Sequence, residues 1–206
     1  MKSSSRDPTP VSSRVKRTVA RAFGLLVCVV MLLVVGWAYN LSRVHKHCIK
    51  STGFGFRAYS DAHGGELPSS TKGFGDAMLL LVKEGHVIGV EYICGPGDDG
   101  KYLAEALEKG LDVAEDQCTR VYVQGLKSTD DRELCLMFDR RSVRGGDHSY
   151  GYGPRLREVC MLDGSMGKVR DPEWPAFCRK QVELLTAAGW TRKAALTYWP
   201  DAEGSR

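Results

Sequence analysis

Few residues in this 206-residue chain stand at spacings that suggest chemistry. His45, His47 and Cys48 (HKHC) offer metal-ligand atoms, although on a helix residues two apart point away from each other, so a solvated polar flank suits them equally. Asp98 and Asp99, in the loop GPGDDG, are hard oxygen donors of the kind Ca²⁺ takes; the same pair also suits an ordinary polar turn. Asp147, His148, Tyr150 and Tyr152 gather in a Gly-rich loop that suits either a ligand patch or packing over a sheet. Six cysteines, Cys48, Cys94, Cys118, Cys135, Cys160 and Cys178, form an even set that suggests disulfides in an exported domain, while several suit small buried apolar positions equally; their pairing stays open. There is no CxxC, HExxH, GxSxG or P-loop. The expectation is therefore a protein without catalytic residues, resident metal or cofactor.

The elements around these residues begin with a marked division of charge. Residues 1–22 hold six Lys/Arg against Asp7 alone, which leaves 23 basic and 24 acidic residues beyond them. A basic tail before a near-neutral body argues against nucleic acid and for membrane targeting. No charge occurs from Ala22 to Ser42, and Phe23–Tyr39 is apolar apart from two glycines. About 20 such residues span a bilayer, so a transmembrane helix is expected at residues 23–42. The basic residues before it outnumber those soon after, and Trp37 and Tyr39 suit the headgroup layer. Expected from this are a cytoplasmic tail at 1–22, a single inner-membrane span, and a periplasmic or extracellular domain at 43–206 in contact with membrane lipid. A cleaved signal peptide, with Gly36 and Ala38 near the cut, is the alternative.

Beyond the apolar run, Val44, Cys48, Thr52, Phe56 and Tyr59 recur at helical spacing to about Asp61, weakened by Gly53 and Gly55 and ended by His63-Gly64-Gly65. Asp76–Lys83 reads as a helix ended by Gly85, Val87–Cys94 as a strand, and Lys101–Lys109 as a helix closed by Gly110. Strands are expected at Thr119–Gln124 and Glu133–Asp139. A hairpin should follow, Arg157–Leu162, Asp163-Gly164 as a type I′ turn, and Ser165–Val169. A last helix starts at Asp171-Pro172 and stops at Gly189. The fold class is α+β, with a small, mostly antiparallel sheet.

Three stretches resemble type IV pilins and type II secretion pseudopilins: Tyr59-Ser60-Asp61-Ala62-His63-Gly64-Gly65-Glu66-Leu67-Pro68, Cys94-Gly95-Pro96-Gly97-Asp98, and Val159–Val169 around Asp163-Gly164. The resemblance implies an N-terminal membrane helix that continues as a spine packed on the sheet, and a partnership with other pilin-like subunits through that helix. It also implies processing between Ala22 and Phe23, although Ala stands where such precursors carry Gly, and Val27 where they carry Glu. In those proteins the Glu neutralises a neighbour's amine, so its absence points away from a major filament subunit. The expected function is a non-enzymatic structural subunit of a secretion or filament system; the alternative is a secreted or signal-anchored binding domain or enzyme of the cell envelope.

Overall fold

Apolar helix formers without proline carry α1 (Ser13–Lys46) along the N-terminal run. This computed structural model describes residues 13–46, 49–95, 101–111, 113, 115–145 and 153–203. The chain divides into two units, Met1–Arg43 and Val44–Arg206. Among the described residues no helix is long and apolar enough to cross a membrane. This overturns the expected transmembrane helix at 23–42, the signal-anchor reading and the single-pass inner-membrane placement built on it.

The second unit is α+β. It opens with α2 (Ile49–Ala62), whose buried residues include Ile49, Thr52, Gly53, Gly55, Phe56 and Tyr59. The two glycines mark close approach rather than weakness. A Cβ at Gly53 would lie 2.7 Å from Met166 Cε and 2.9 Å from Cys160 Sγ, and one at Gly55 would collide with Val87. After α2 come α3 (Phe74–Lys83) and α4 (Lys101–Lys109), each followed by a positive-φ glycine, Gly85 and Gly110. The strand expected at Val87–Cys94 is instead a turn of 3₁₀ helix, Val90–Tyr92. Val87, Val90 and Ile93 are buried three apart while Ile88 is 92% exposed, a period of three that an alternating strand does not have.

Five strands form one antiparallel sheet: β1 (Arg120–Tyr122), β2 (Cys135–Asp139), β3 (Val143–Arg144), β4 (Arg155–Met161) and β5 (Met166–Arg170). β4 pairs with β2 and β3, and also with β5, while β1 pairs with β2. The β4–β5 turn differs from the expected two-residue type. Gly164 N–H donates to Met161 O (2.9 Å) and Met161 N–H to Ser165 O (2.8 Å), which leaves a three-residue loop ending in Gly164 at φ 83°. The chain closes with a 3₁₀ turn at Asp171–Glu173, α5 (Trp174–Ala187), and α6 (Arg192–Tyr198), whose N-cap Thr191 accepts from Ala194 N–H.

The core is apolar around one buried ionic centre. Arg120 and Asp139, directly opposite on β1 and β2, are both essentially inaccessible and meet at 3.2 Å. Arg120 Nη1 also donates to Thr52 Oγ1 (3.3 Å) and Tyr92 O (3.2 Å), and Thr52 itself donates to Tyr92 O. Asp139 Oδ2 accepts from Glu158 N–H at 3.2 Å. Burial pushes the Asp139 carboxyl above its ordinary range, while Arg120 pulls it back. One guanidinium thus ties α2, the 3₁₀ turn and two strands together.

Three of the six cysteines singled out from the sequence are unpaired. Cys135, Cys160 and Cys178 are buried free thiols; Cys94 and Cys118 are buried too, and Cys48 lies outside the described residues. Cys135 Sγ donates to Met137 O (3.4 Å) and Cys94 Sγ to Val90 O (3.1 Å), so these thiols behave as small apolar residues with a weak donor.

Candidate functional site

Two helix ends bring together residues that lie more than twenty positions apart. α2 ends at Ala62, ahead of the positive-φ pair Gly64 and Gly65, which places His63 immediately after its last residue. α3 stops at Glu84, whose N–H donates to Leu80 O, and Gly85 turns the chain so that His86 lies back toward α2. Val87 N–H closes the turn onto Leu81 O at 2.9 Å. The close approach at Gly55 then brings the two ends together: His63 Nε2 is 3.1 Å, and His86 Nε2 3.7 Å, from the same Glu84 oxygen.

Tyr59 is the wall of this cluster. Its ring stacks on His63 (3.9 Å between centroids, 8° between planes) and meets the His86 ring edge-on at 5.4 Å. Its carbonyl accepts from His63 Nδ1 at 2.8 Å. A carbonyl has no proton to give, so the Nδ1 of His63 carries one, and Nε2 is the nitrogen left to face Glu84. Burial, followed by the Glu84 carboxylate, holds the Tyr59 phenol above its ordinary value. His63 and Glu84 are each somewhat over a third exposed and His86 less, so the cluster opens to solvent on one side.

Two hollows lie elsewhere in this unit. A cleft of about 720 Å³ is walled by Phe138, Trp174, Tyr198 and Trp199, with Glu115 and Asp201 at its margin. Its polar groups serve the fold: Glu115 Oε1 accepts from Phe74 N–H at the start of α3 (2.8 Å), and Asp201 from the Trp174 indole (2.8 Å). A groove of about 290 Å³ runs between α2 and the β4–β5 turn, past Phe54, Arg57, Asp61 and Met166.

In the first unit, α1 presents apolar side chains on every side. Met31, Leu32, Leu33, Val34 and Val35 are successive, cover more than one turn, and are each over half exposed. Phe23 (66%) and Leu25 (72%) extend the same surface, and Cys28 on this helix is exposed.

Asp98, Asp99, Asp147, His148, Tyr150 and Tyr152 lie outside the described residues, as do His47 and Cys48. Ala22 and Phe23 stand exposed within α1. Sequence reasoning treated His63-Gly64-Gly65 and Gly85 only as helix stops. The signal that was there to find was a ligand-type side chain beside each stop, on two helices that must pack. No protein-family profile matches the chain, and neither a curated protein nor a solved structure matches it.

Proposed function

We propose that this chain is a non-enzymatic structural subunit that assembles through α1, its copies packing these helices into a small bundle that carries the α+β units. The observation that supports it is the apolar surface of α1, exposed on all sides from Phe23 to Trp37. A helix apolar all round is stable when other apolar surface covers it. Covering each Leu, Val or Phe contributes about 1.5–3 kcal/mol, so a few such residues per helix offset an association cost of about 4–15 kcal/mol. The pilin-like motifs of the sequence agree with a subunit role, as does the seating of α2 on an antiparallel sheet. The absence of any acidic residue between Ala22 and Ser42 favours a small bundle over an extended filament.

The test uses cysteine as a ruler. In a Cys28→Ser background, single Val29→Cys, Val30→Cys and Met31→Cys variants, with native Cys28 for comparison, sample the faces of one helical turn. Mild oxidation of cells is expected to give a disulfide-linked dimer strongest at one or two of these positions and lost in a Leu25→Glu/Leu32→Glu double variant. Maleimide labelling at all four positions with no dimer at any of them refutes assembly through α1.

A further inference from the structure

We propose that His63, Glu84 and His86 form a binding site for one divalent transition-metal ion, with Zn²⁺ the best match. The donor set decides the class of ion. Two imidazole nitrogens and one carboxylate oxygen suit Zn²⁺ and its first-row neighbours, whereas Ca²⁺ takes six to eight oxygens. The three donor atoms all lie within 4.8 Å of one another. A tetrahedral Zn²⁺ with bonds of about 2.0–2.1 Å holds its ligands about 3.3 Å apart. The two carboxylate–imidazole pairs, at 3.1 Å and 3.7 Å, straddle that value, so small side-chain rotations bring them to it.

A second observation points to a cation here. His63 Nδ1 donates to the Tyr59 carbonyl, the outer-shell contact that fixes the tautomer of a metal-binding histidine. In the neutral ring the lone pair of Nε2 then faces a carboxylate oxygen 3.1 Å away. Two acceptors at that distance repel unless a positive species lies between them, either a second proton on the ring or a metal ion. The stacked Tyr59 ring, itself buried, holds the imidazole in that direction without any ligand. The open side leaves the fourth coordination position to water. Bound there, the ion cross-links the end of α2 to the exit of α3.

The experiment titrates the untagged full chain, stripped with chelator, with ZnCl₂ by calorimetry and with CoCl₂ by visible absorption. The expected result is one equivalent bound, a four-coordinate Co²⁺ spectrum, and a rise in Tm. His63→Gln, His86→Gln and Glu84→Gln should each weaken Zn²⁺ binding by tenfold or more while melting in chelator like the stripped parent. A His45→Gln/His47→Gln variant should bind as the parent does. Paramagnetic Co²⁺ shifts in the unaltered protein give a readout that needs no variant, and they should centre on residues 59–65 and 83–87. Absence of stoichiometric binding, shifts centred elsewhere, or loss of binding in the His45/His47 variant with none in the other three overturns the site.

Discussion

Asp139→Asn removes one negative charge from the core and changes almost nothing in volume. Arg120 then remains with no accessible surface and without the Asp139 carboxylate. The asparagine also has one acceptor where the carboxylate used two, for Arg120 Nε and for Glu158 N–H, and its amide group turns a donor toward a donor. Removing one partner of a buried ion pair costs about 3–5 kcal/mol, a large fraction of the roughly 5–15 kcal/mol that holds a domain together. With a urea m-value of about 2 kcal/mol per M, the unfolding midpoint should fall by about 2 M. Replacing both partners, as Arg120→Met/Asp139→Leu, should recover most of the loss, with about 1 kcal/mol remaining for donors withdrawn from Thr52 and Tyr92. Arg120→Met alone carries a pH signature. Burial already raises the folded-state pKa of Asp139, and loss of the guanidinium raises it further, so the neutral carboxyl fits best. The stability of that variant relative to the parent is therefore fullest at acid pH and falls as pH rises through the folded pKa. Urea titrations of the four proteins at pH 5 and pH 7 complete the cycle. An Asp139→Asn variant within about 0.5 kcal/mol of the parent, or a double variant worse than the sum of the singles, refutes the idea that this pair is a coupled buried charge.

Burial pushes the Cys160 and Cys178 thiols up to about 12, and Cys135 is raised too, so at pH 8 iodoacetamide should modify exposed Cys28 and leave these three unmodified until urea is added. The same shifts fix the sign of an alkaline transition. The neutral thiols contribute full stability below about pH 9, their unfolded value, and lose it as pH rises toward about 12, so Tm should decline over that window. Gly53→Ala should destabilise by about 1–3 kcal/mol in thermal melts even though alanine is the better helix former. Met166 Cε can swing aside, but Cys160 Sγ is fixed in β4. Gln181→Leu strands the Cys135 N–H, which Gln181 Oε1 now accepts at 2.8 Å; an expected cost of about 1–3 kcal/mol is readable by urea titration.

Elements with a strong local pattern were legible in the sequence. α4 needed only its helix formers and Gly110, while Asp171-Pro172 opens a 3₁₀ turn and α5 itself starts three residues later than expected, at Trp174. β2 was expected within Glu133–Asp139 and the β4–β5 pair around Asp-Gly, although the loop is one residue longer than the turn that Asp-Gly suggests. Val87–Cys94 misled because its β-branched residues fit a strand while tertiary contacts decide its path: Tyr92 O is occupied by Thr52 and Arg120, not by a neighbouring strand. α6 carries little apolar pattern of its own and is held through Ala195 and Trp199. The site was hidden for a related reason. His63 and Glu84 are ordinary surface residues until Gly55 lets two helix ends approach, and no local pattern encodes that approach. Arg120 reads as a solvent-facing strand residue until Asp139 is set opposite it.

The seat that Gly53 makes for α2 on β4 also sets a timetable for the newborn chain. α2 is synthesised roughly a hundred residues before the strand it docks against, an interval of about 5–20 s at ordinary elongation rates. Throughout that interval the close seat of Gly53 against Cys160 and Met166 cannot form. Docking of the early helix on the late strand is a long-range closure, the kind of contact that slows folding relative to helical proteins of this size.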